Sequence, residues 1–418
     1  MNIKSLPSII LFLLLPIFSI AQDQYCGARQ PDFSGKNMDE ATLHRMQELE
    51  LFTQQWISEN QNQVSLREII TIPVVVHIVW NTPADNFTDL EIEAQIDGLT
   101  ADFRKRNENA AIIPPVFQPL AADVEIEFCL ATVFEGKETN GIVRKETPFT
   151  GVGARRFSGN QRSICYDNEG GSDAWNPEDY VNIWVGQLNG PLGEATLPGM
   201  TDYKYEDGVF IDPRAFGFFC SSTSNYFSGR TLTHEMGHFF NLYHIWGENG
   251  CGIDDFVEDT PMQDKDYRGQ CPSHPQVSCG SEDMFMNYMD YVDDNCMAMF
   301  THGQKKRMLA ALDTFPRESL KNSNGCDRTT TKNITLTPDD ILLFPNPASD
   351  CVHIDLDLDN DLPIRMAIFD TAGREIYANQ IFVKDLRTID ISNISNGIYF
   401  IYFESNGQVA SKKLIIDK

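Results

Sequence analysis

The sequence predicts an α/β (α+β) main domain, a twisted mixed sheet packed with helices, followed by a small C-terminal all-β sandwich. Three observations carry that reading. Residues 72–80, Ile-Pro-Val-Val-Val-His-Ile-Val-Trp, form the unbroken β-branched run of a strand buried on both faces. Thr88 and Glu91 then make a capping-box pattern ahead of Ile92, Ile96, Leu99 and Phe103, which share one helical face and would pack on the sheet. Near the other end, residues 352–358 alternate with period two, after a stretch rich in Asn, Thr, Asp and Gly that reads as a linker.

In chain order, residues 1–21 carry Lys4, an apolar stretch over 9–20 and the small-residue ending Ser19-Ile20-Ala21, the pattern of a signal peptide removed before Gln22. That stretch is short for a bilayer, and no later run approaches about 20 apolar residues, so the mature chain is expected to be exported, soluble and without a transmembrane segment. Residues 22–66 lack strand patterning and read as a pro-segment with one amphipathic helix, on which Leu43, Met46, Leu49 and Phe52 recur near the helical period. The main domain spans 67–322, with further strands expected at 124–130, 181–185 and 209–211 and an edge strand at 192–197. His77, inside the first strand, is expected to be a core histidine. A helix should begin near Gly229, and Thr301 with Gln304 should cap a last helix carrying Met308 and Leu312 ahead of Pro316. Residues 323–339 are the linker and 340–418 the sandwich, in which Asp370-Thr-Ala-Gly373 reads as a hairpin turn and 397–402 as a strand.

Composition narrows the partners. Sixty acidic residues stand against 33 basic ones, a net charge of −27, which argues against nucleic acid. The 10 cysteines all lie beyond the signal, as suits an oxidising destination.

The chemistry is concentrated in His234-Glu-Met-Gly-His-Phe-Phe-Asn-Leu-Tyr-His244. Residues four apart share a helical face, so His234 and His238 can direct ring nitrogens at one metal ion. His244 lies too far round to join them unless the helix stops. Asn241 is the expected stopping point, because Asn enters the left-handed conformation that ends many helices. Three neutral imidazoles suit Zn2+ and leave the fourth position to water, whose proton Glu235 is placed to take. Glu258 is the alternative third ligand, but it stands in sequence that reads as loop. The competing reading of the motif is a chance His-Glu-x-x-His whose histidines only pack, and the third histidine weighs against it.

The spacing resembles the metzincin pattern H-E-x-x-H-x-x-G-x-x-H, with Asn241 where that pattern has glycine, and Asn287-Tyr-Met-Asp-Tyr291 resembles its Met-turn. Leu192-Gly-Glu-Ala-Thr-Leu-Pro-Gly199 and Asp207-Gly-Val-Phe-Ile-Asp212, followed by that turn and Phe300-Thr301, resemble the pappalysin family of metzincins in content and order. The resemblance implies a secreted zinc endopeptidase acting on protein or peptide substrates, with Glu235 as general base and acid. It places Met289 as the apolar floor beneath the zinc and Tyr291 as a phenol that stabilises the oxyanion. The main alternative is a catalytically silent surface adhesin or binding protein that retains the fold. Loss of Glu235 would have supported that alternative, and Glu235 is present.

The same resemblance extends to regulation and stability. Tyr25-Cys26-Gly27 resembles a cysteine switch, in which a thiolate takes the water position on zinc; Ala28 stands where the family has a small polar residue, and a structural disulfide at Cys26 is the alternative. Activation would then need a cut near Arg67 or a little upstream. By resemblance Cys251 pairs with Cys279 and Cys271 with Cys296, although sequence alone allows three pairings of those four. Asp254, Asp255 and Asp259 are candidate ligands for a structural Ca2+, against the alternative of a solvated acidic loop. Asp293 and Asp294 follow the Met-turn where metzincins build a substrate-pocket wall, and a carboxylate there would favour Lys or Arg beside the scissile bond; the alternative has both facing solvent. Leu343-Phe-Pro-Asn-Pro347, Asn396-Gly-Ile-Tyr399 and the terminal Lys412–418 segment resemble the C-terminal sorting domain of type IX secretion cargo, a system of Bacteroidetes. That resemblance implies export through the periplasm and outer membrane by the type IX machinery, to a secreted or cell-surface location. A carbohydrate-binding sandwich is the rival, but Tyr399, Phe400 and Tyr402 are expected to be packing residues.

Overall fold

The computed structural model describes residues 26–27, 39–61, 68–217, 228–247, 250–326, 337–338, 341–356, 363–382, 387–405 and 408–418. The expected signal peptide, Arg67 and most of the linker lie outside these residues. The N-terminal elements are α1 (Glu40–Glu59), β1 (Ile70–Trp80), α2 (Asp89–Phe103), β2 (Ile126–Leu130) and a short hairpin of β3 (Val133–Phe134) and β4 (Lys137–Glu138). They are followed by β5 (Ile142–Glu146), β6 (Val181–Val185), β7 (Gly193–Ala195), β8 (Gly208–Ile211) and α3 (Arg230–Phe239). A second small hairpin, β9 (Val277–Ser278) and β10 (Ser281–Glu282), precedes α4 (His302–Ala311).

β1 is the spine of a six-stranded sheet and is buried from residue 72 to residue 79, as a strand covered on both faces must be. It pairs in parallel with β6 on one side and, on the other, first with β2 and then with β5. β8 extends the sheet in parallel from β6, and β7 closes it as an antiparallel edge strand. His77 is fully buried in β1, where it bonds Ser172 and Asn182, stacks on Trp184 and has its pKa lowered to about 4 by burial, as a core histidine should.

α2 starts with the expected capping box at Thr88 and Glu91, and Ile92, Ile96, Leu99 and Phe103 are buried. Phe103 meets Phe128 and Phe300 edge-on, joining helix, sheet and the region before α4 in one core. α1 departs in part from its expected stripe. The buried face is Thr42, Met46, Leu49, Thr53 and Trp56, while Leu43 and Phe52 are half-buried flanks. The expected stripe holds at Met46 and Leu49, while Leu43 and Phe52 flank the contact face, which includes two threonines that an apolar count passes over.

The C-terminal unit comprises β11 (Ile341–Phe344), β12 (Cys351–Leu356), β13 (Pro363–Asp370), β14 (Glu375–Phe382), β15 (Arg387–Asp390), β16 (Gly397–Ser405) and β17 (Gln408–Ile416). Antiparallel sheets of order β11-β12-β15 and β14-β13-β16-β17 enclose a core that includes Val352, Ile354, Met366, Ile401, Phe403 and Leu414. Gly373, at φ 78°, closes the expected turn onto the Asp370 carbonyl. The packing expectation for the aromatics holds only for Tyr399. Phe400 and Tyr402 fall on the outer face of β16, each 37% exposed, because alternation sends them opposite to Tyr399 and Ile401.

Candidate metal centre

All 10 residues of α3 are buried, so the helix runs through the interior and presents His234 and His238 one turn apart. It ends as a Schellman motif: Asn241 takes φ 70°, its N–H donates to the His238 carbonyl (2.9 Å), and the Leu242 N–H donates to the Gly237 carbonyl (3.0 Å). This left-handed turn reverses the chain and returns His244 to the other two rings. Two buried guanidinium groups satisfy further carbonyls at this end, Arg317 Nε at Phe239 O and Arg307 Nε at Asn241 O, both 3.2 Å, where positive charge also suits the helix dipole.

The three Nε2 atoms lie 3.0 to 3.3 Å from one another. His234 Nδ1 faces the Tyr288 carbonyl at 2.7 Å and His238 Nδ1 the Leu242 carbonyl at 2.8 Å, so each ring carries its proton there and turns a bare lone pair inward. Burial lowers the pKa of His234 to about 3 and holds that of His238 well below the ordinary histidine value, which keeps both neutral. Converging lone pairs with no proton between them fit a cation. Ligands about 2.0–2.1 Å from a tetrahedral zinc would stand about 3.3–3.4 Å apart, close to the spacing seen. The Cys26 sulfur belongs to the same cluster, within 4.8 Å of all three nitrogens.

The floor and walls explain several residue choices. A Cβ on Gly237 would lie 2.5 Å from the Met289 sulfur, so the missing side chain lets Met289 pack directly on α3. Asn287 holds the turn before it, its Oδ1 accepting from the Met289 N–H while its amide exchanges hydrogen bonds with Gln304 of α4. Tyr291 is buried with its hydroxyl 3.1 Å from His244 Nε2. Glu235 is fully buried, neither of its oxygens receives a well-formed hydrogen bond among the described residues, and desolvation raises its pKa well above the usual carboxylate range; the facing Cys26 thiol partly offsets the shift.

β7 forms the opposite wall. Cys26 makes a parallel bridge to Gly193, and the Gly27 N–H donates to the Gly193 carbonyl at 2.8 Å, so residues 26–27 add to the sheet edge as an extended peptide would. What remains of the cleft is a cavity of about 20 Å³ beside Leu192, Thr231, Val292 and Met297. Gly193 is glycine for lack of space: a Cβ there would lie 2.6 Å from both Cγ and Oε1 of Glu235. Gly193→Ala is therefore expected to displace the Glu235 carboxylate and lower kcat about a hundredfold with bound metal retained. Steady-state kinetics with metal analysis check this, and an unchanged kcat would contradict it.

Other expected site residues fall differently. Asp294 lines the cavity, but its Oδ2 accepts from the N–H groups of Ser228 and Arg230, so this carboxylate is committed to the start of α3, where the helix dipole favours it. Asp293 is half-buried, with Oδ1 enclosed and unpartnered among the described residues. Among the described residues, no cluster of three candidate metal-ligating side chains includes Asp254, Asp255 or Asp259. Asp254 caps the Phe256 N–H, Asp255 takes the Val257 N–H and Thr260 hydroxyl, and Asp259 caps Gly303 in α4. Glu258 is exposed and outside the metal cluster. Cys251 is bonded to Cys279 and Cys271 to Cys296, and a further disulfide joins Cys129 to Cys326.

The sequence reading missed Asp102. On α2 it accepts hydrogen bonds from the Tyr288 hydroxyl (2.6 Å) and the Thr233 hydroxyl (2.8 Å), tying α2 to α3 and to the residue whose carbonyl orients His234. A carboxylate beside Leu99 and Phe103 on a buried helical face was the available signal.

Residues 165–313 match the peptidase family described as pregnancy-associated plasma protein-A, and residues 342–417 match the secretion system C-terminal sorting domain. A mutant promirolysin of Tannerella forsythia is 36% identical, with a TM-score of 0.64, covering 74% of this chain and 100% of its own. Mature mirolysin of the same organism, in complex with a cleaved peptide, is 41% identical with a TM-score of 0.57, over 61% of this chain and 97% of its own. An extracellular metalloprotease of Arthroderma otae is 50% identical over 96 residues, 22% of this chain; the chain thus spans 35% of the length of that curated relative.

Proposed function

The chain belongs to the pappalysin family of metalloproteases and ends in a secretion sorting domain, and from that premise we propose that it is a secreted zinc endopeptidase made as a latent precursor. The observation that carries the proposal is the convergence of three imidazole lone pairs next to a buried Glu235 and a sheet edge. Zinc held by His234, His238 and His244 would supply Lewis acidity toward the scissile carbonyl and lower the pKa of water. The substrate lies along β7, donating a main-chain N–H to the Gly193 carbonyl as Gly27 does. Glu235 takes the proton of the attacking water and returns it to the leaving amine. The Tyr291 hydroxyl donates to the carbonyl oxygen as negative charge develops.

Latency follows from Cys26, whose sulfur takes the place that water would need and whose backbone takes the place of substrate. Residues 22–66 are the pro-segment in this reading, and the span similar to promirolysin exceeds that similar to mature mirolysin by about a segment of this size. The enclosed oxygen of Asp293 supports a preference for Lys or Arg beside the cut, while Asp294 is committed elsewhere. The sorting domain directs export through the type IX machinery, and no described helix is long and apolar enough to cross a membrane.

The test is proteolysis of casein by the activated chain. A chelator should abolish cleavage, zinc should restore it, and sequenced cut sites should be enriched in flanking Lys or Arg. Cleavage indifferent to the chelator would defeat the zinc mechanism, and unenriched sites would defeat the specificity alone.

A further inference from the structure

The latency reading above concerns Cys26, but α1 makes a second and larger attachment on the far side of the metal site. Trp56 packs on Leu309 and Ala310 and its Nε1 donates to Asp313 at 2.6 Å. Glu50 grips Arg307 through both carboxylate oxygens, at 2.9 and 2.8 Å, and the Arg307 side chain is wholly buried. The same guanidinium holds the Asn241 carbonyl, while the Asn241 amide donates to Thr53 of α1. At the rim, Arg45 donates to the Gly199 carbonyl (3.0 Å) and to Asp202 (2.8 Å), just past the edge strand. One amphipathic helix therefore spans the turn that returns His244, the last helix and the loop after β7.

None of these contacts depends on the peptide bonds between α1 and β1. We propose that the face formed by Arg307, Asn241, Asp313 and the Gly199 loop is a docking surface for the severed pro-segment, which stays bound as a two-point inhibitor after the chain is cut at Arg67. The proposal rests on the Cys26 reading for inhibition, but not for docking. The occupant is an acidic amphipathic helix, and the chemistry fits it. Arg307 is a buried cation whose carboxylate partner comes from α1, so departure of the helix breaks that ion pair. The two anchors belong to one fragment, so while α1 is docked Cys26 meets the site at an effective concentration in the millimolar range. Release of activity then requires a further event that separates α1 from Cys26 or destroys the helix.

The experiment uses the full chain cut at Arg67 by limited trypsin digestion, verified by a new N-terminus at Glu68. The nicked wild type should keep its N-terminal fragment through size-exclusion chromatography and stay inhibited, gaining activity on dilution. Glu50→Ala should lower the dilution needed at least about thirtyfold, the effect of truncating one partner of a buried charge pair. Should Glu50→Ala fail to fold, Arg45→Ala loosens the rim contact without touching Arg307 and should shift the midpoint the same way. Cys26→Ala should be active while the fragment still co-elutes. A fragment that leaves the wild type as soon as it is nicked overturns the docking proposal. A co-eluting fragment in an inhibited Cys26→Ala protein instead defeats the thiol's role and leaves docking standing.

Discussion

Glu235→Ala is expected to lower kcat/KM on casein by about 10²–10⁴-fold, the usual contribution of a positioned acid–base group, with bound zinc unchanged. The expectation follows from the isolation of this carboxylate. It is fully buried, takes no well-formed hydrogen bond among the described residues, and packs so tightly on Gly193 that no side chain fits between them. A structural carboxylate in such a place would have partners, and its removal would unfold the neighbourhood. Removal of Glu235 should relieve desolvation and leave the melting temperature equal or higher. Kinetics, zinc content and thermal melting measured together separate the cases. Full activity in the alanine variant would exclude Glu235 from the chemistry, and loss of zinc alongside activity would point to a structural role.

His238→Ala should abolish activity and weaken zinc binding by more than the 10–100-fold typical of losing a ligand's supporting partner, as read by competition with a chromogenic chelator. His238 has two attachments that the other rings do not combine. It lies between His234 and His244, 3.1 and 3.0 Å away, and its Nδ1 holds the Leu242 carbonyl inside the helix-ending turn. Its loss should therefore loosen the turn that delivers His244, and lower the melting temperature even without metal. Zinc affinity at the wild-type level would show that the three rings do not act as one site.

The sequence exposed what is local. Helical spacing brings His234 and His238 together, and Asn241 marks the turn because its conformational freedom is a property of the residue itself. The two capping boxes at Thr88 and Thr301 were legible for the same reason. Met289 and Tyr291 became legible only through a family pattern, since nothing in their own surroundings marks them. Partners far apart in sequence were not visible at all: Asp102 and Tyr288 are separated by 186 residues, and Glu50 and Arg307 by 257. In the acidic loop, Asp254, Asp255 and Asp259 each accept from a different backbone N–H group, which a linear reading cannot see.

Gln304 closes the capping box of α4 and also clasps Asn287, whose side chain fixes the Met289 N–H. The first turn of a helix ordinarily frays with little consequence. Here the fraying residue is also a fastening of the metal floor, so the two regions should open as one cooperative unit. Amide exchange at the start of α4 would then report on the integrity of a site it never touches, and slow exchange there would be a signature of metal occupancy.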